Sequence, residues 1–212
     1  MNRRIPQLLL PIFIAIAAYL IWQQQSQVYE DQGKLSVTQE GMYVVLSWRG
    51  EIDVPMRRHM SDAIDEWRDR TDAFLVDLDS PGGALYEGAR VIELIDTLKT
   101  THRVTTRVRS RANCLSMCVP IFLQGDERLA ASNSTWMFHE PVSVNFYTDE
   151  IEEVPEFERR ALAERFFERY FDNSPMNAEW REKLRVEWVN SEIWKSGRQL
   201  VREKSGIITR QL

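Results

Sequence analysis

Three short segments of this chain carry residue types that perform acyl-transfer chemistry. Asp79-Ser80-Pro81-Gly82-Gly83 follows an apolar run, Asn113-Cys114-Leu115-Ser116-Met117-Cys118 opens a second one, and Met137-Phe138-His139-Glu140-Pro141 comes a little later. Proline fixes φ and glycine reaches conformations closed to other residues, so Ser80 to Gly83 can form a tight turn with a bare main chain. The Gly82 and Gly83 amides can then approach a ligand oxygen, helped by the positive end of a following helix. Taken alone, Pro-Gly-Gly is also ordinary turn chemistry. Ser116 offers a hydroxyl. Pro120 is best tolerated in the first turn of a helix, which places a helix start near Ser116 and Met117 and aims the hydroxyl and the Met117 amide the same way. A serine there serves equally well as a helix cap. His139 closes an apolar segment, at the edge where sheet-borne sites form. The other two histidines are poorer candidates: His59 lies on a charged helix face, and His102 sits among threonine and arginine. Backbone donors, a hydroxyl nucleophile and an imidazole base are the set that acyl transfer requires.

Positioning these groups takes an alternation of strands and helices. Tyr43 to Trp48 is β-branched and aromatic, and Ala73 to Leu78 is nearly all apolar, as in a strand covered on both faces. Between them, Met56, Met60, Ala63, Ile64 and Trp67 recur at helical spacing, and Leu85, Ala89, Ile92 and Ile95 repeat that pattern after the glycine turn. Arg103 to Val108 and Thr135 to Phe138 read as further strands. The order predicts an α/β fold with a mainly parallel sheet and crossover helices. Beyond Pro141 the character changes. Asp149 to Glu153 is an acidic loop, and a helix is expected over Glu156 to Phe171 with Leu162, Phe166, Phe167, Tyr170 and Phe171 on one side. So aromatic a face packs on the chain's own core or on a second copy. Further helices are expected over Met176 to Val189 and Gln199 to Lys204.

The chain has 212 residues, 43% of them hydrophobic, which is enough for one sizeable core. Its net charge of -5 and the lack of a basic stripe argue against nucleic acid as a partner. No ligand spacing suggests a metal, no loop suggests phosphate binding, and no cofactor is expected. Ile5 to Trp22 carries no charge, follows Arg3 and Arg4, and ends with Tyr19 and Trp22. It reads as a single membrane anchor with the N-terminus cytoplasmic and the rest in the periplasm or outside the cell. A cleaved signal peptide is the competing reading, through the small residues of Ala15-Ile16-Ala17, but the apolar run continues beyond them. The expected organisation is an anchor over residues 1–22, a juxtamembrane linker over 23–41 and a folded domain over 42–212.

These segments, in this order, resemble the Clp-protease/crotonase superfamily, most closely the proteolytic subunit of Clp and the membrane-tethered signal peptide peptidase A type. The likeness covers about residues 43 to 208. It includes Gly125-Asp126-Glu127-Arg128 ahead of Ala130-Ala131-Ser132-Asn133-Ser134 as well as the three segments above. It implies that Ser116 is the nucleophile, His139 the base, and Gly82, Gly83 and Met117 the oxyanion donors. It also implies a homo-oligomer built through the 156–171 helix. The family's acid is less clearly matched: Glu192 precedes Ile193-Trp194-Lys195-Ser196, with Asn190 and Glu187 as alternatives. The implied activity is a membrane-anchored serine peptidase acting outside the cytoplasm on peptides or unfolded protein, with no ATPase partner. An inactive binding or assembly protein of the same fold is the alternative. Cys114 and Cys118 flank the serine. An exported chain invites a disulfide, yet i,i+4 positions of a helix hold their Cβ atoms ~5–6 Å apart, too far for one. A bridge therefore needs Cys114 outside the helix, and both states stay open.

Overall fold

The computed structural model describes residues 33–143 and 152–212, together with Ile16. The apolar segment Ile5 to Trp22 otherwise lies outside the described residues, as does most of the acidic loop. No helix among the described residues is long and apolar enough to cross a membrane.

Gly33–Leu212 forms one compact unit around a six-stranded sheet. Strands β1 (Lys34–Glu40), β2 (Tyr43–Arg49), β3 (Ala73–Asp79), β4 (Arg103–Val108), β6 (Glu127–Ala130) and β9 (Arg210–Gln211) lie side by side in that order. All neighbours are parallel except β1 and β2, which form an antiparallel pair. Helices α1 (Met56–Trp67) and α2 (Leu85–Lys99) are the crossovers from β2 to β3 and from β3 to β4. Their apolar stripes, Met56, Met60, Ala63 and Ile64 on α1 and Val91, Ile92, Ile95 and Leu98 on α2, pack with Leu46, Trp48, Phe74, Val76 and Leu78 of the sheet in one core. The parallel α/β expectation therefore matches the observed architecture. The linker does need correction. Lys34–Glu40 is a strand, and the folded unit starts at Gly33, not at Met42. Its sequence is polar because the strand is an edge with its side chains mostly exposed, so it lacks the apolar run that marks an inner strand.

A second sheet orders β5 (Asn113–Leu115), β7 (Thr135–Phe138) and β8 (Ile193–Ser196), with β7 parallel to β5 and antiparallel to β8. It joins the first where β3 ends: Ser80 N donates to Asn113 O at 2.8 Å and Leu115 N to Ser80 O at 3.1 Å. Helix α3 (Cys118–Phe122) follows β5 and is buried throughout. The expected long helix is α4 (Glu156–Phe167), continued by a π-helical turn over Glu168–Asp172. Phe166, Phe167 and Phe171 are buried against Trp188 of the loop after α5 (Ala178–Glu187), the buried Tyr170 packs on Phe166, and Phe171 also meets Phe138 edge-on. The aromatic face thus belongs to the chain's own core. It underlies the end of β7, and a contact between copies would have to use other residues of α4, such as the exposed Phe157. A short last helix, α6 (Gly197–Arg202), begins with a capping box between Ser196 and Gln199.

Candidate active site

The junction of β3 with the second sheet brings the three segments together. Ser116 follows β5 and its N–H donates to Met137 O at 2.9 Å, which fixes the serine beside the end of β7. One residue beyond β7 comes His139. Its Nε2 lies 2.7 Å from Ser116 Oγ. For that nitrogen to accept the hydroxyl proton, the ring's own proton must be on Nδ1.

The glycine turn closes the third side. Gly82 has φ +99°, and a Cβ built there would lie 2.7 Å from Ser116 Cβ and 2.8 Å from Leu115 O. No side chain fits, so the turn's main chain lies directly against the nucleophile. Gly88 of α2 performs a similar service one turn on: an added Cβ would stand 2.4 Å from Met117 Cγ. This close approach seats the buried Met117 side chain under α2, while the Met117 amide nitrogen lies 3.3 Å from where a Gly82 Cβ would stand. The three candidate donors differ. Gly82 N already donates to Ser80 Oγ at 3.1 Å, whereas the Gly83 and Met117 amides have no acceptor among the described residues. Gly83 is exposed. A free N–H beside a nucleophile is what an oxyanion requires, and Gly83 and Met117 fit that role better than Gly82 does.

Burial lowers the pKa of His139 below its ordinary value, opposed by the charge of Glu192 and by a hydrogen bond to the Glu140 main chain. The shift favours the neutral imidazole, the state a general base needs. Among the three candidates for the acid, only Glu192 acts on His139 by its charge. It is exposed, and its Oε2 accepts a 3.0 Å bond from Trp194 Nε1. Glu187 pairs with Lys183, and the Asn190 contribution is through its backbone. None of the three side chains hydrogen-bonds His139 among the described residues.

Sequence reasoning gave Glu140 no role. Its carboxylate is largely buried, pairs with Arg159 of α4, and accepts the Asn190 N–H at 3.1 Å. Asn190 holds φ +55°. Glu140 thereby ties the loop that carries Glu192 to the residue after the base. A carboxylate adjoining a candidate histidine was the one signal available. His102 has a structural explanation: its ring bonds Arg68 O and Thr101 and stacks edge-on with Phe74. Cys114 and Cys118 form a disulfide. Cys114 lies in β5, outside α3, which removes the distance objection. No cluster of His, Cys, Asp and Glu among the described residues has the arrangement of a metal site.

No family model matches the chain, and no curated protein matches it in sequence. Among solved structures it is similar to a single-substitution mutant of ClpP1 from Listeria monocytogenes. The TM-score is 0.62 over 81% of this chain and 91% of that one, at 16% sequence identity. The likeness establishes a ClpP-like fold for the described residues.

Proposed function

We propose that the chain is a serine peptidase held at a membrane by its N-terminal segment and acting outside the cytoplasm without an ATPase partner. One observation carries the chemical part: Ser116 Oγ and His139 Nε2 are 2.7 Å apart, beside a glycine turn pressed on Ser116. In this reading Ser116 Oγ attacks the peptide carbonyl carbon and His139 Nε2 takes the hydroxyl proton. The carbonyl electron pair moves onto oxygen, where the Gly83 and Met117 amides receive it. Collapse expels the amine, which takes the proton from His139 and leaves an acyl-Ser116 ester. Water, deprotonated by His139, then repeats the sequence and releases the acid. Glu192 stabilises the transient imidazolium by its charge.

The export reading is supported by the uncharged run Ile5 to Trp22 after Arg3 and Arg4, and by the disulfide, a bond that persists in oxidising compartments. A cavity of about 620 Å³ lies between α2 and α4, with Leu85, Ala89, Leu162, Phe166 and Tyr170 on its apolar side and Arg165, Glu168 and Arg169 among its charged lining. Its apolar part suits an apolar side chain of an unfolded or membrane-proximal peptide. The second reading is a binding protein of the same fold, favoured by the lack of a hydrogen-bonded acid on His139 among the described residues. A fluorophosphonate separates the two, with hydrolysis of an unfolded protein such as casein as a second assay. Label on Ser116 that is lost in Ser116→Ala supports the peptidase. No label at any pH from 6 to 9 supports the binding protein.

A further inference from the structure

We infer that the Cys114–Cys118 disulfide is a positioning brace for Ser116, so that the reactivity of the nucleophile depends on the oxidation state of this bond. The inference rests on the peptidase reading above. It starts from the backbone: Ser116 has φ +51°, in the left-handed region that residues with a Cβ enter at a cost. Something on either side must hold it there.

The two flanks are unlike. Upstream, Cys114 is bridged to Ser80 and paired with Trp136, so β5 is anchored in both directions. Downstream, the chain enters α3, a helix of only five residues, tied back to the serine by Val119 N donating to Ser116 O at 3.0 Å. The disulfide connects these flanks across the nucleophile, from two residues before it to two residues after it. Both cysteines are fully buried. Without that bond, the φ of Ser116 would rest on one short buried helix and two main-chain hydrogen bonds, Val119 N to Ser116 O and Ser116 N to Met137 O. Relaxation toward the glycine turn is limited, because even a single Cβ built on Gly82 would lie 2.7 Å from Ser116 Cβ. The remaining direction carries Oγ away from His139 Nε2 and the Met117 amide away from the oxyanion position.

A dithiol reductant supplies the two electrons and two protons of the opening step. The Sγ–Sγ bond breaks, each cysteine becomes a thiol, and the dithiol closes to its own disulfide. Because the bond spans so short a loop, opening it should change the local turn and leave the rest of the fold standing.

The test uses the purified full chain in three states: oxidised, held in dithiothreitol, and as Cys114→Ala/Cys118→Ala. Three readouts are taken: the rate of fluorophosphonate labelling at Ser116, near-ultraviolet circular dichroism, and the NMR titration of His139. The expected result is a labelling rate at least tenfold lower in the reduced chain and in the double variant, with circular dichroism retained and the His139 midpoint moved. Reoxidation should restore the wild type and leave the variant unchanged. Equal labelling rates in all three states would overturn the brace, and so would reduction that unfolds the whole domain. If the oxidised wild type fails to label, the peptidase reading fails separately. The His139 midpoint then decides alone: one that moves on reduction supports the brace, and one that stays fixed refutes it.

Discussion

Two buried polar clusters in this molecule are built on opposite plans. Asp77, on β3, is fully buried and pairs with Arg49 at 2.9 Å, Arg107 at 3.1 Å and Arg109 at 2.6 Å, while Ser47 donates to it at 3.2 Å. Arg107 in turn holds Glu40 on β1, whose pKa is lowered by that bond. Every group there has a partner. At the β5–β7 end the reverse holds among the described residues: one hydrogen bond joins Ser116 to His139, two amides have no acceptor, and the imidazole is half-buried without a hydrogen-bonded carboxylate. Saturated polar groups fix strands, whereas unsaturated ones beside a cleft are available to a ligand. The number of charges is thus a poor guide to where chemistry happens. The densest charge cluster stitches β1, β2, β3 and β4 together, and the sparse one is the candidate site.

That contrast predicts which variants damage rate and which damage stability. Ser116→Ala should lower hydrolysis on the order of 10⁴-fold or more, with a melting curve close to the wild type, because it removes one oxygen from a half-buried position. Asp77→Ala should do the opposite. Arg107 keeps Glu40, and Arg49 and Arg109 are part-exposed, so losing the buried carboxylate costs about 1–3 kcal/mol, seen as a lower urea midpoint, and the activity of the protein that stays folded should be little altered. Were Asp77→Ala to abolish labelling in folded protein, the division between the two clusters would be wrong.

Gly82→Ala tests the contact itself. The new Cβ meets Ser116 Cβ at 2.7 Å at a φ of +99°, so Ser116 must shift, and a displacement near 1 Å costs about 10²-fold in rate. A Gly82→Ala chain as active as the wild type would show that the turn does not set the nucleophile.

The pH dependence is gentler. Burial depresses the His139 pKa from its ordinary 6.5, and catalysis needs the neutral ring. Activity should therefore hold toward neutral pH and fall as pH drops through a midpoint below 6.5. The linked stability has the same sign: the unfolded chain binds the proton more readily, so the folded state loses ground as pH falls below 6.5. Smallest of all is Glu192→Gln. Removing the charge that raises the His139 pKa should move the acid limb further down, and only slightly, because the exposed carboxylate is screened by solvent. Glu187→Gln should leave the limb in place. If Glu187→Gln moves it and Glu192→Gln does not, the assignment of the acid is reversed.

Much of this was legible in the residues. The apolar run Ala73 to Leu78 announced an inner parallel strand, and Met56, Met60, Ala63 and Ile64 announced the helix that covers it, because periodicity reflects burial directly. The polar edge strand Lys34–Glu40 was not legible, since its pairing with β2 leaves its side chains largely in water. The aromatic side of α4 was readable as apolar but not as to what it covers. Trp188 and Phe138, which it meets, are remote from it in the chain, so no local pattern marks the contact.

The sequence by itself determined the layered α/β plan, the bare glycine turn, and the candidacy of Ser116 and His139, since each depends on local chemistry or on a short period. Only the tertiary structure decided that Ser116 and His139 lie within hydrogen-bond reach, that Cys114 and Cys118 join across the serine, and that Glu140 holds the Asn190 loop. Such distances come from strand register between β5, β7 and β8 and from the junction at Ser80. Register is a property of pairing between segments remote in the chain, and no single segment encodes it.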